Sequence, residues 1–66
     1  MRIIVNGKEV DVPGELDLDR LMSHLSMPRE RVAVELNEHV VPKARWGEIG
    51  IKNDDRLEII HFVGGG

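Results

Sequence analysis

Cysteine is absent from this sequence, aromatic residues are limited to one tryptophan and one phenylalanine, and no apolar run is longer than a few residues. Without cysteine the chain forms no disulfide and offers no thiolate nucleophile, so a reducing compartment suits it and any sulfur in its chemistry must be imported. The apolar run at residues 3–5 is far too short for a signal peptide or a membrane span. We therefore expect a soluble cytoplasmic protein without a membrane partner.

Basic residues are in the minority, since nine lysines and arginines stand against twelve aspartates and glutamates, for a net charge of -3. Nucleic-acid binding needs a basic surface, so no nucleic-acid partner is predicted. The three histidines lack the spacing of metal ligands. The acidic pairs Asp17/Asp19 and Asp54/Asp55 are explained by a helix start and a turn. We predict no metal site and no catalytic residues.

The chain has 66 residues, which is near the lower size limit for an independent hydrophobic core. We expect one domain at residues 1–63, followed by a flexible tail of three glycines at residues 64–66, and a monomer when the chain is free. A large internal active-site cavity is implausible in so small a domain.

Residues 1–12 predict a β-hairpin, because Asn6-Gly7 favours the positive φ angles of a type I′ turn between two apolar-rich runs. Such a turn also fixes the strand register. The predicted opposite pairs are Val5 and Lys8, Ile4 and Glu9, Ile3 and Val10, Arg2 and Asp11, and Met1 and Val12.

One amphipathic helix follows, with Asp17 as its N-cap and Pro28 as its stop. Its apolar positions have the i, i+3, i+4, i+7 spacing of a single helix face; they are Leu18, Leu21, Met22 and Leu25.

Strands are predicted at residues 32–36, 39–41 and 56–62, whereas residues 43–51 show no clean period. We expect those residues to form a loop that contains either one helical turn or a short edge strand, with Trp46 holding it against the body. The element order is β-β-α-β-β or β-β-α-β-β-β. This order predicts an α+β fold with a mixed sheet of four to five strands, one helix on one face and an open opposite face.

The last strand places Leu57 and Ile59 toward the helix and sends Ile60 and Phe62 to the opposite face. Two interpretations stay open for that face. Either the strand is central and buried on both faces, or its outer side chains form an exposed docking patch beside the tail. The candidate patch, called the apolar patch below, consists of Ile4, Ile60, Phe62 and Val63.

The three terminal glycines are either a frayed end or a functional tail. They follow a strongly strand-forming run directly, without a polar linker, which favours function. Lacking Cβ atoms, Gly64 and Gly65 fit a channel too narrow for side chains. An extended backbone from His61 to Gly66 reaches roughly 20 Å, which makes the Gly66 carboxylate the candidate reactive group.

Several segments together resemble the ThiS family of sulfur carriers of thiamine biosynthesis. They are the Asn6-Gly7 hairpin, residues 32–37, Val40-Val41-Pro42, residues 54–60 and the ending at residues 61–66, which is the most specific of them. The resemblance spans nearly the whole chain and implies a ubiquitin-like β-grasp fold. The chain departs from the family at Asp17, where members commonly have threonine, but aspartate is an equally good cap.

The resemblance implies that a ThiF-type, E1-like adenylating enzyme activates the Gly66 carboxylate with ATP. A sulfur-transfer enzyme then supplies the sulfur of a thiocarboxylate, which serves thiazole synthase of the ThiG type, with Gly64 and Gly65 threading the partner's channel. The chain itself is then a substrate and not an enzyme, and binds no cofactor. Two alternatives stay open: a sulfur carrier for another pathway such as molybdopterin, and a β-grasp binding module whose glycines are incidental.

Overall fold

The structure, a computed structural model, describes residues 1–63. The longer of the two predicted element orders is correct, because these residues form five strands and one α-helix. The elements in chain order are β1 (Arg2–Val5), β2 (Lys8–Asp11), α1 (Leu18–His24), β3 (Val32–Leu36), β4 (His39–Val40), a 3₁₀ helix (Lys43–Glu48) and β5 (Arg56–His61).

The five strands form one sheet in the order β2-β1-β5-β3-β4. The β1–β5 pair is parallel and the other pairs are antiparallel, so the sheet is mixed. α1 buries Leu18, Leu21 and Met22. Because the buried side chains of β1, β3 and β5 belong to the same core cluster as these helix residues, α1 covers one face of the sheet. The predicted α+β class is confirmed.

The hairpin has the predicted register at all four pairs of β1 and β2. Asn6 has φ of 49° and Gly7 has φ of 83°, the positive angles of the type I′ turn. The pairing continues to Met1 and Val12, since the Val12 amide donates to the Met1 carbonyl at 2.9 Å. A local turn signal was therefore enough to position ten residues of the sheet's edge correctly.

α1 begins as predicted and ends earlier than predicted. The Arg20 amide donates to the Asp17 carboxylate at 2.7 Å, so Asp17 is the N-cap. The prediction that Pro28 stops the helix is wrong, because α1 ends at His24. There the Ser26 amide donates to Ser23 and the Met27 amide to Met22, with Ser26 at φ of 56°. These two bonds around a left-handed residue form a Schellman motif.

Of the two alternatives predicted for residues 43–51, the helical one is correct, and no edge strand forms in these residues. The 3₁₀ helix is followed by an isolated bridge between Gly50 and Asp17. Trp46 is buried, and its indole Nε1 donates to the Val41 carbonyl at 3.0 Å. The expectation that Trp46 holds this segment against the body is therefore confirmed.

β5 is held on both sides by asparagine side chains as well as by backbone bonds. The Ile59 amide donates to Asn6 Oδ1 at 2.7 Å, and Asn6 Nδ2 donates to the Ile59 carbonyl at 3.2 Å. The Arg56 amide donates to Asn37 Oδ1 at 3.0 Å. Asn6 thus extends the parallel β1–β5 pairing past the end of β1, toward the end of β5 that leads to the tail.

We expect Ser26→Gly to stabilise the protein by about 0.5–1 kcal/mol, because glycine reaches the left-handed region without the Cβ penalty. Ser26→Ala is the matched control, since it keeps the Cβ and should give no gain. Urea unfolding followed by circular dichroism measures both. Equal stability of the two variants would contradict this account of the helix end.

Asn6→Gly tests the side chain of Asn6, because glycine adopts the positive φ angle of the turn but lacks the amide that bonds Ile59. We expect the free energy of unfolding to fall by about 1–3 kcal/mol, because the partly buried amide and carbonyl of Ile59 lose their hydrogen-bond partners. Asn37→Gly is the comparison, since its bonds to Arg56 and Asp55 are exposed and water replaces them. The same unfolding measurement should give the larger loss for Asn6→Gly, and equal losses would argue against a special role for Asn6.

Candidate functional site

The described end of the chain leaves the sheet directly from its central strand. The Phe62 amide donates to the Arg31 carbonyl at 2.7 Å, which is the last backbone hydrogen bond from β5 and its continuation within residues 1–63. Val63 follows and is 89% exposed. The segment that carries the tail is therefore fixed up to Phe62, by Arg31 on one side and by the Asn6 contact with Ile59 on the other.

The predicted roles of Gly64, Gly65 and Gly66 lie outside the described residues. What the structure gives is the position from which these glycines depart. That position is at the end of β5, beside the face of the sheet that α1 does not cover.

Three residues of the apolar patch, Ile4, Ile60 and Phe62, lie on this open face, and Val63 follows them at the end of the described chain. Ile60 is 46% exposed and Phe62 is 55% exposed, so the alternative of burial on both faces is wrong for these side chains. Ile4 is half-buried and lies on the same side, since it pairs with Glu9 and Arg56 and not with the core positions. A role in docking stays a prediction.

Two carboxylates adjoin the apolar patch, and sequence reasoning missed them. Glu35 of β3 and Glu58 of β5 are directly opposite each other, and the next pair on the same face is Ala33 and Ile60. A hollow of about 350 Å³ lies beside them. Its lining residues are Glu35, Asn37, Glu38, Arg56 and Glu58. The alternation in residues 32–36 indicated that Glu35 faces outward, but the register of β3 against β5 was needed to bring it beside Glu58.

Arg2, at the other side of the open face, has its charge compensated within the domain. Its guanidinium contacts Asp54 at 2.7 Å and Glu9 at 3.3 Å. The hydrogen bond to Asp54, together with the attraction of the Asp54 and Glu9 carboxylates, raises the pKa of Arg2. Exposed ion pairs of this kind add little stability, but they leave Arg2 less available to a partner.

Residues 1–63 contain no group of three or more histidine, aspartate or glutamate side chains that could hold a metal ion. Neither helix in this part of the chain has the length and apolar character that spanning a bilayer requires. All buried side-chain nitrogen and oxygen atoms of the described residues have hydrogen-bond partners. The features that set this domain apart are thus the open face and the exit of the chain beside it.

Comparison with known proteins extends this description. The model of the ThiS family matches residues 2–66. The chain is 33% identical over 63 residues to the sulfur carrier protein ThiS of Bacillus subtilis, a match that covers 94% of this chain and 96% of that protein. It is also 33% identical over all 66 residues to a thiazole synthase of Paramagnetospirillum magneticum. The chain spans about a fifth of the length of the thiazole synthases that it matches.

The fold is shared with a solved structure. The crystal structure of the thiamine biosynthesis protein ThiS from Geobacter metallireducens superposes with a TM-score of 0.87 at 35% identity, over 100% of both chains. The β-grasp fold that the resemblance implied is therefore confirmed. Since the family model covers the chain from Arg2 to its last residue, the chain belongs to the ThiS family.

Proposed function

We propose that this protein is a sulfur carrier of thiamine biosynthesis, and that the carboxylate of Gly66 is its reactive group. The observation that carries the proposal is the exit of the chain from the central strand of a ThiS-family domain, with Val63 exposed beside an open apolar face. A hydrogen-bonded strand that ends in a short run of glycines suits a carrier that inserts its terminus into other proteins.

The chemistry requires activation, because a carboxylate is a poor electrophile. In the proposed sequence a ThiF-type enzyme joins the Gly66 carboxylate to AMP from ATP and releases pyrophosphate. A sulfide-level nucleophile delivered by a sulfur-transfer enzyme then forms the C–S bond as the C–O bond to AMP breaks. The product is a thiocarboxylate, a sulfur nucleophile that stays attached to the carrier.

The chain acts in this proposal as a substrate, and the partner enzymes supply the nucleotide site. The chain contributes the length of its carboxyl-terminal end and the narrow cross-section of its glycines. Beyond Phe62, the four residues from Val63 to Gly66 span up to roughly 13 Å when extended. Gly64 and Gly65 have no Cβ, so they pass a narrow channel while Asn6 and Arg31 hold the base of the segment in place.

The proposed acceptor is thiazole synthase. A unit similar to this whole chain occurs within longer proteins named thiazole synthase, which supports a common task for the two. A carrier for molybdopterin would share the tail chemistry, but these matches favour the thiamine pathway. The apolar patch is proposed to dock on the partner where the tail enters.

Intact-protein mass spectrometry tests the reactive group. After incubation with a ThiF-type enzyme, ATP and a sulfide source, we expect a gain of about 16 Da, as sulfur replaces oxygen, that fragmentation localises to Gly66. Fragmentation is required because methionine oxidation adds nearly the same mass. A variant with one alanine appended after Gly66 should gain nothing, whereas alanine added at the amino terminus should leave the gain unchanged. Modification of the extended variant at its new terminus would contradict the proposed specificity.

Substitution of Phe62 tests the docking role of the apolar patch. We expect Phe62→Ser to raise the KM of adenylation by about 10- to 100-fold, because burying a phenylalanine contributes about 1.5–3 kcal/mol. Ala44→Ser is the control, since Ala44 is an exposed apolar residue of the 3₁₀ helix, which packs against α1 and away from the open face. Equal KM values for the two variants would remove the patch from the interface.

A further inference from the structure

We infer that the open face binds a protein surface on which a cationic side chain stands beside an apolar recess, with Glu35 and Glu58 receiving the cation. The identification of that surface with the adenylating enzyme rests on the proposed function. The placement of the two carboxylates within the fold does not.

The first step of the argument is the register. Glu35 and Glu58 are a directly opposite pair on neighbouring antiparallel strands, so their side chains project side by side from one face. Ala33 and Ile60 form the next pair on that face, about 7 Å further along the strands. The carboxylate pair is therefore continuous with the apolar patch.

The second step is charge. Like charges at directly opposite positions destabilise a sheet. Within residues 1–63 neither Glu35 nor Glu58 lies within 4.0 Å of a cationic nitrogen, although Arg2, Arg20 and Arg29 each make such a pair with other acids. The same hollow is lined by Glu38 and Arg56, so three carboxylates there face one guanidinium, which forms no ion pair in this part of the chain.

The third step is desolvation. A partner that covers Ile60 and Phe62 also covers Glu58, because these residues alternate along one side of the same segment. Removing two uncompensated carboxylates from water is costly unless a cation arrives with the partner. An arginine suits this role better than a lysine, because its planar fork donates to two carboxylates at once.

The experiment uses the full chain, with Glu35→Gln, Glu58→Gln and the double variant, and measures the Kd for a ThiF-type enzyme. We expect each single variant to weaken binding by about 3- to 10-fold at about 50 mM salt, and by less than about 2-fold at about 500 mM, where screening is strong. Glu48→Gln is the control: it makes the same charge change at an exposed residue of the 3₁₀ helix, which packs against α1 and away from the open face.

A second measurement separates binding from folding. Removing one of two repelling charges should leave the Tm of Glu58→Gln equal to or above that of the parent, although its affinity falls. A variant that binds weakly because it folds poorly would show the opposite change in Tm. The parent chain is tested in parallel for the gain of about 16 Da, which establishes that the enzyme is active and that the parent acts as a carrier.

Several outcomes would overturn the inference. One is that the Glu35, Glu58 and Glu48 variants bind the enzyme with equal affinity, although the enzyme modifies the parent chain. This result would not affect the proposed function. Another is self-association of the parent chain in sedimentation that the double variant loses, which would mean that the face binds a second copy. Absence of both binding and modification in the parent would instead count against the proposed function itself.

Discussion

The hydrogen bonds that hold β5 between β1 and β3 are the constraint on which the rest of this structure depends. Within residues 1–63, β5 is the last strand and also the central strand of the sheet, so the hairpin and the β3–β4 pair become one sheet only through it. Asn6 and Asn37, each in a turn, bond β5 at Ile59 and Arg56. The position of the described end of the chain is consequently determined by the same contacts that close the core.

The side chains of β5 alternate between the buried core and the open face of the sheet. Leu57 and Ile59 are buried under α1, while Glu58 and Ile60 project from the other face. A strand buried on both faces would have gained stability from more apolar contact. This strand instead leaves apolar and acidic side chains accessible beside the exit of the chain, as the proposed docking role requires.

Local signals predicted most of the fold, and what they missed was one unusual backbone conformation and the pairing of two strands that are distant in sequence. The hairpin register followed from Asn6-Gly7, and the start of α1 from Asp17, because both depend on neighbouring residues. The end of α1 was misjudged because Ser26 adopts a left-handed conformation that serine rarely takes. The juxtaposition of Glu35 and Glu58 required the β3–β5 register, which joins residues more than twenty positions apart. The proposed roles of Gly64, Gly65 and Gly66 rest on the glycine ending of the sequence and on the family resemblance, and these residues lie outside the described part of the chain.

Because β5 is the central strand, the sheet can form only after β5 has been synthesised. During synthesis, β1 and β3 emerge from the ribosome without the strand that separates them, and the sheet closes only when residues next to the glycines have been made. A product truncated before β5 lacks the middle of its sheet, exposes its apolar core side chains and is left to proteases. Chains that fold are therefore chains that have been translated through β5, up to the residues from which the glycine end extends.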